Sequence, residues 1–113
     1  MIYTLEQLGE KIAPIAEKYN IPAVYVFGSY ARGEATEDSD VDVLIDCEGS
    51  AVHSLFDMGG LYNDLNESLR KELNLETVRN LADHATQRDF PRYVRNLNNE
   101  RVLVYERQRS SAA

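Results

Sequence analysis

The feature that most constrains this chain is a glycine–serine turn, separated by ten residues from two aspartates that alternate along a second apolar run. Residues 23–27 (AVYVF) are β-branched and aromatic, which predicts a short buried strand that ends at this turn. Residues 40–46 (DVDVLID) predict a second strand, whose alternation places the aspartates on one face and β-branched residues on the other. The polar connection between the strands is predicted to contain one helical turn at residues 30–32.

Apolar residues recur at helical spacing both before and after this strand–turn–strand unit in the sequence. Thr4 and Gln7 have capping-box spacing, and the apolar residues behind them predict an amphipathic first helix. Pro14 lies inside that helix and is expected to kink or split it, because proline removes a donor and crowds the carbonyl one turn earlier. A further helix is predicted over residues 52–69, where Gly59-Gly60 requires either a close neighbour or an interruption.

The last third of the chain predicts shorter elements. Residues 73–75 (LNL) indicate a third strand, and Thr77 is placed to cap a following helix. Another helix is predicted from Phe90, and residues 102–105 (VLVY) have strand composition, with a helical ending as the alternative. The order αβαβαβαα(β) predicts one domain of the α/β or α+β class.

Length and charge limit the function further. A chain of 113 residues has room for one domain, assigned to residues 1–106, with a flexible tail at residues 107–113. The net charge of −7 argues against direct nucleic-acid binding, which calls for a basic surface. With one cysteine, no signal-peptide pattern and no apolar run near the ~20 residues that cross a bilayer, the sequence predicts a cytoplasmic protein without membrane contact.

The turn and the aspartates together suggest phosphate and metal chemistry. Gly28 allows a phosphate to approach the backbone, and Ser29 adds a hydroxyl donor. Asp40 and Asp42 share one face of a strand and suit Mg²⁺, which takes a few carboxylates and completes its shell with water and phosphate oxygens. A lone glycine–serine turn is usually only a turn, and a lone Asp-x-Asp is usually a solvated strand edge. The prediction therefore depends on their combination.

The stretch GSYARGEATEDSDVDVLID resembles the signature of the DNA polymerase β-like nucleotidyltransferases, in which ten residues separate Gly-Ser from Asp-x-Asp. The short length, the segment LFDMGGLYNDL and the ending VLVYE are similar to the minimal nucleotidyltransferase (MNT) antitoxins. Those antitoxins are typically encoded beside a HEPN-type ribonuclease toxin. The resemblance extends from the first helix to about Glu106 and implies a mixed β-sheet flanked by helices.

The resemblance also implies roles for individual residues. Gly28 and Ser29 would hold the triphosphate of ATP, and Asp40 and Asp42 would hold Mg²⁺. The reaction implied is transfer of AMP from ATP to a tyrosine hydroxyl of a partner HEPN-type toxin, which silences that toxin. Arg32 falls at the arginine of the family's motif, where contact with phosphate and bracing of the acidic loop are alternatives.

Asn74 marks a departure from the family pattern. These enzymes commonly carry a third carboxylate on the next strand, and an amide cannot act as a base at neutral pH. Glu76 would face the same way as Asn74 in an extended strand and is the candidate for the missing catalytic group. The alternative interpretation makes Glu76 a first-turn acid of the following helix.

Three hypotheses about function follow from this pattern. The first is an active antitoxin enzyme, whose acidic body would complement a basic, RNA-cleaving partner. The second is a catalytically impaired nucleotide-binding antitoxin that neutralises its toxin by contact, and the third is a transferase acting on a small molecule. The sequence is compatible with a homo-oligomer and does not identify the base that is selected.

Overall fold

The computed structural model describes residues 2–78 and 100–107 of the chain. Within these ranges, one helix precedes the predicted strand–turn–strand unit, one lies inside it and one follows it, and two further strands complete the sheet. The helices are α1 (Leu5–Lys18), α2 (Gly28–Arg32) and α3 (Leu55–Leu69). The strands are β1 (Ala23–Phe27), β2 (Val41–Asp46), β3 (Leu73–Thr77) and β4 (Val102–Glu106).

The strands form one mixed sheet in the order β3-β2-β1-β4. Strand β1 pairs antiparallel with both β2 and β4, whereas β2 pairs parallel with β3. Helix α3 makes the crossover that the parallel pair requires. The predicted mixed sheet flanked by helices is therefore confirmed.

The core lies between this sheet and helices α1 and α3. Its buried apolar side chains are Leu8, Ile12 and Ala16 of α1, Val24 and Val26 of β1, Val41, Val43 and Ile45 of β2, and Leu61, Leu65 and Leu69 of α3. Because side chains alternate along a strand, the aspartates of β2 face away from this core. The hydrophobic pattern of β2 thus determines which face of the sheet carries its acidic groups.

Helix α1 begins as the sequence predicts and continues where a break was expected. The Thr4 hydroxyl accepts a hydrogen bond from the Gln7 backbone N–H at 3.0 Å, and the Gln7 side chain accepts one from the Thr4 N–H at 2.9 Å. The predicted split at Pro14 is wrong, because α1 runs through Pro14 to Lys18. Pro14 and Glu10 are both exposed, so water can satisfy the carbonyl that loses its donor.

Helix α3 begins later than predicted, at Leu55 behind the N-cap Ser54, and is continuous across its two glycines. The interruption considered from the sequence is therefore not found. A Cβ at Gly60 would lie 3.0 Å from the hydroxyl oxygen of Tyr19, so a close neighbour explains this glycine. At Gly59 no described atom lies within 4 Å of such a Cβ.

The glycines of α1 and α3 provide a test of the packing of α1. A Cβ at Gly9 would lie 2.6 Å from the carbonyl oxygen of Val104 in β4, so Gly9→Ala should lower the free energy of unfolding by about 1–3 kcal/mol. Gly59→Ala is the matched control and should raise it by up to about 1 kcal/mol through helix propensity. Urea denaturation measures both values, and equal stabilisation by the two variants would contradict the close approach of α1 to β4.

Some predictions fall outside the described residues. Of the helices predicted beyond Thr77, only Val78, which is helical, is described, because the rest lies in the range 79–99; Thr77 itself ends β3. Strand β4 confirms the strand interpretation of its segment over the helical alternative. Arg107 donates hydrogen bonds to the backbone and side-chain oxygens of Asn20, at 3.2 and 2.9 Å, and the remainder of the predicted tail is not described. In the described ranges, no helix is both long and apolar enough to span a membrane.

Candidate active site

The glycine–serine turn and the aspartate pair meet at one end of the sheet. Strand β1 ends at Phe27, directly before Gly28, and β2 begins directly after Asp40. The antiparallel register pairs Phe27 with Asp42. The fold therefore brings Ser29, in the first turn of α2, to the same end of the sheet as both aspartates.

Gly28 and Asp42 are in direct contact. Gly28 has a φ of 70°, a conformation that glycine adopts far more readily than other residues. A Cβ at this position would overlap the Oδ2 atom of Asp42. The Asp42 carboxylate thus occupies the space that a side chain at position 28 would take.

Asp42 is half-buried, and its surroundings oppose its negative charge. Burial raises the pKa of the Asp42 carboxyl above its ordinary value, and the charge of Asp40 adds to the rise. A hydrogen bond from the Asn74 amide, 2.7 Å from Asn74 Nδ2 to Asp42 Oδ1, and the charge of Arg32 act in the opposite direction. A cation bound between Asp40 and Asp42 would offset both the burial and the repulsion, so these residues fit a divalent metal ion.

The parallel strand β3 places its polar side chains beside Asp42. The register pairs Asp42 with Asn74 and Leu44 with Glu76. Asn74, Glu76, Asp42 and Phe27 line a cavity of about 540 Å³ on this face. Glu76 belongs to β3, so its interpretation as a first-turn acid of the next helix is wrong.

Glu76 shares the cavity of Asp42 without completing a set of three metal-binding carboxylates. Its Oε2 atom is buried and has no hydrogen-bond partner among the described residues. In the same part of the chain, no group of three or more His, Cys, Asp and Glu side chains is arranged to hold a metal ion. The acidic residues that would hold Mg²⁺ are therefore Asp40 and Asp42, with phosphate and water as the remaining ligands.

Arg32 pairs with two acidic side chains. Its Nε atom donates to Glu34 Oε2 at 3.0 Å, and its Nη1 atom donates to Glu100 Oε2 at 3.1 Å. These pairs correspond to the bracing alternative, while contact of Arg32 with a phosphate stays a prediction. Sequence reasoning missed Glu100, because the two partners lie 68 residues apart and no local pattern connects them.

Most of this chain matches a known protein family. The family model described as polymerase beta, nucleotidyltransferase matches residues 10–110. The chain belongs to the polymerase β nucleotidyltransferase family. The match includes both the glycine–serine turn and the aspartate pair of this nucleotidyltransferase.

Two relatives place the chain more closely within the nucleotidyltransferases. A candidate protein adenylyltransferase of Methanocaldococcus jannaschii is 37% identical over 77 residues, which is 68% of this chain and 81% of the relative. A solved structure of a candidate minimal nucleotidyltransferase is 31% identical, with a TM-score of 0.66 over 88% of this chain and 95% of that one. The resemblance to the minimal nucleotidyltransferases is confirmed.

A toxin–antitoxin complex shares the fold. The matching chain comes from a structure of tri-AMPylated Shewanella oneidensis HEPN toxin in complex with MNT antitoxin. It superposes with a TM-score of 0.59 over 93% of this nucleotidyltransferase and 75% of the matching chain. At 15% identity, this likeness demonstrates a common fold and nothing more.

Proposed function

We propose that this nucleotidyltransferase is a Mg²⁺-dependent protein adenylyltransferase that modifies a tyrosine of a HEPN-type toxin and so acts as its antitoxin. The observation that carries the proposal is the contact between Gly28 and Asp42, which sets a half-buried carboxylate against the turn that we assign to the triphosphate. The name of the M. jannaschii relative supports the reaction class. The complex of an AMPylated HEPN toxin with MNT antitoxin supports the class of partner.

AMP transfer makes and breaks one bond at the α-phosphorus of ATP. The tyrosine oxygen attacks phosphorus, the new O–P bond forms, and the bond to the departing pyrophosphate breaks in line with it. Mg²⁺, when bound, supplies positive charge to the phosphate oxygens. Asp40 and Asp42 hold the cation, while Gly28 and Ser29 orient the triphosphate through backbone and hydroxyl donors.

The proton of the attacking hydroxyl needs an acceptor. Glu76 is the group we assign to this role, because it lines the cavity of Asp42 and has a buried oxygen without a hydrogen-bond partner among the described residues. Asn74 has no basic atom and acts as a positioning residue, which holds Asp42 Oδ1 at 2.7 Å. The two side chains thus divide the work that a third carboxylate does in other family members.

Intact mass spectrometry of the toxin tests the proposed function. The purified HEPN-type product encoded beside this chain is incubated with ATP, Mg²⁺ and the nucleotidyltransferase at a small fraction of the toxin concentration. We expect additions of whole AMP units, and their fragmentation should locate the tyrosine. An ATP analogue with a methylene bridge between the α- and β-phosphates is the control, because it binds without releasing pyrophosphate. No added mass with ATP would contradict the proposal.

Asn74 favours a second candidate, an antitoxin that binds nucleotide but neutralises by contact. The amide donates a hydrogen bond to Asp42 Oδ1, which an ionised carboxylate at position 74 could not do. The molar ratio of antitoxin to toxin that is needed for neutralisation distinguishes the enzyme from the contact inhibitor. An enzyme silences a large excess of toxin ribonuclease activity when ATP is present, whereas a contact inhibitor needs equimolar protein and no ATP.

Substitutions of Asn74 test whether Mg²⁺ binds beside Asp42. Asn74→Asp removes the donor to Asp42 and adds a negative charge beside it, so in EDTA it should lower the free energy of unfolding by about 1 kcal/mol. Mg²⁺ should restore the lost stability, because it would be held by one more carboxylate. Asn74→Ala is the control, since it removes the donor without adding charge. Thermal denaturation with and without Mg²⁺ measures the effect, and equal Mg²⁺ shifts in both variants would contradict a metal ion within reach of position 74.

A further inference from the structure

The first two residues of α3 are large, apolar and almost fully exposed. Leu55 has 91% of its surface exposed and Phe56 has 90%, whereas the leucines later in the helix belong to the core. Burying two such side chains is favourable by about 1.5–3 kcal/mol each, so leaving both in water forgoes stability in the isolated chain. Adjacent exposed apolar residues of this kind are typical of interaction surfaces.

Leu55 also lines a cavity of about 870 Å³ at the opposite end of β2 from Asp42. Asp46, the last residue of β2, lines the same cavity. Asp46 lies four positions after Asp42, which corresponds to about 13 Å along the strand. A ligand that bound here and reacted near Asp42 would have to bridge that distance, which favours a protein over a small molecule.

The negative charge of the segment that contains Leu55 and Phe56 favours a partner protein with a basic surface. Residues 46–58 contain the acids Asp46, Glu48 and Asp57 but no lysine or arginine. An apolar anchor with an acidic rim complements an apolar pocket bordered by basic side chains. A second copy of this chain, with its net charge of −7, fits poorly because the two acidic bodies would repel each other.

We propose that Leu55 and Phe56, together with the acidic rim formed by Asp46, Glu48 and Asp57, are the docking surface for the protein acceptor of AMP. The acceptor inserts its contact surface over the apolar pair, and its basic residues face the rim. This inference builds on the proposed function and adds the surface that selects the substrate. A ribonuclease suits the surface because an enzyme that binds RNA needs basic side chains to neutralise phosphates.

The double variant Leu55→Ser/Phe56→Ser tests the docking surface. Both side chains are exposed, so the variant should fold with an unchanged melting temperature. The HEPN-type toxin encoded beside the chain is the probe, and calorimetry without ATP measures its binding. We expect the Kd for the toxin to rise by about 10-fold or more, while the affinity for Mg²⁺–ATP stays unchanged. In AMP transfer, KM for the toxin should rise by the same factor at constant kcat.

Two further variants separate the apolar and charged contributions. Ile2→Ser removes an exposed apolar side chain outside the surface and should leave toxin binding unchanged. Glu48→Lys reverses one charge of the rim and should slow association and reduce its dependence on salt.

The outcomes distinguish this inference from the proposed function. Native affinity and native KM in the double variant would overturn the docking surface and leave the transferase assignment intact. Toxin binding that depends on Leu55 and Phe56, without AMP transfer by the native chain, would support the surface and reject the transferase. A native dimer that becomes a monomer in the double variant would identify a second copy as the occupant and overturn the inference.

Discussion

Alanine at position 42 is expected to reduce the rate of AMP transfer by about 10³-fold, since we propose that Asp42 holds the cation beside the triphosphate. The side chain contacts Gly28, accepts a hydrogen bond from Asn74 and lies beside Asp40. No other described carboxylate joins these groups in a metal-binding cluster. Asp40→Ala should act in the same direction, and the double variant should add little, because the two residues act on one ion.

The stability of the Asp42→Ala variant separates catalysis from folding. Burial raises the pKa of Asp42 in the folded protein, so the ionised carboxylate opposes folding at pH values above that pKa. Alanine removes this unfavourable charge together with one hydrogen bond. The free energy of unfolding at neutral pH should therefore change by no more than about 1 kcal/mol.

Asp38→Ala is the matched control, because it removes the same charge from an exposed position in the preceding loop. It should transfer AMP at the native rate. Initial rates of labelled AMP incorporation into the toxin, measured at saturating Mg²⁺, compare the variants. Equal rates for Asp38→Ala and Asp42→Ala would contradict the assigned site.

The second large effect is expected for Gly28→Ala. A methyl group there would overlap Oδ2 of Asp42, so the carboxylate must move away from the turn. We expect a loss of about 10²-fold in transfer rate and a weaker affinity for Mg²⁺–ATP, because both the phosphate and the metal ligand are displaced. Calorimetry with the methylene analogue of ATP measures the affinity without turnover.

Gly33→Ala distinguishes the contact from backbone strain. Gly33 has a φ of 75°, close to the 70° of Gly28, but no described atom lies within 4 Å of a Cβ placed there. Both variants should lose about 1 kcal/mol of stability from the left-handed backbone, and only Gly28→Ala should lose activity. Equal activities would show that Asp42 tolerates a methyl group at the turn.

The local parts of this fold could be predicted from the sequence, and the contacts between distant segments could not. The turn, the aspartate pair and strands β1 and β2 follow from spacing and alternation over short ranges. The hydrogen bond from Asn74 to Asp42 depends on the parallel register of β3, which no local pattern determines. The partner of Arg32 was missed for the same reason, since Glu100 is far along the chain.

The helical glycines and proline show how tertiary context overrides local preference. The sequence predicted either a close neighbour or a helix break at Gly59-Gly60. The helix is continuous, and the hydroxyl of Tyr19 is the close neighbour of Gly60. The split predicted at Pro14 was wrong because that prediction treated the lost hydrogen bond as uncompensated. On an exposed helix face, water serves the freed carbonyl and the packed side of α1 keeps the helix intact.

The contact between Gly28 and Asp42 also links two positions in evolutionary history. Glycine in the left-handed conformation and a half-buried carboxylate each lower the stability of the folded state. Under the proposed function, binding of Mg²⁺ and nucleotide is the benefit that offsets both costs. Once selection for nucleotide chemistry ceased, drift would be free to replace either one with a residue that favours folding, and the loss of one would remove the reason to keep the other. We therefore expect the two positions to be kept or lost together among the relatives of this chain.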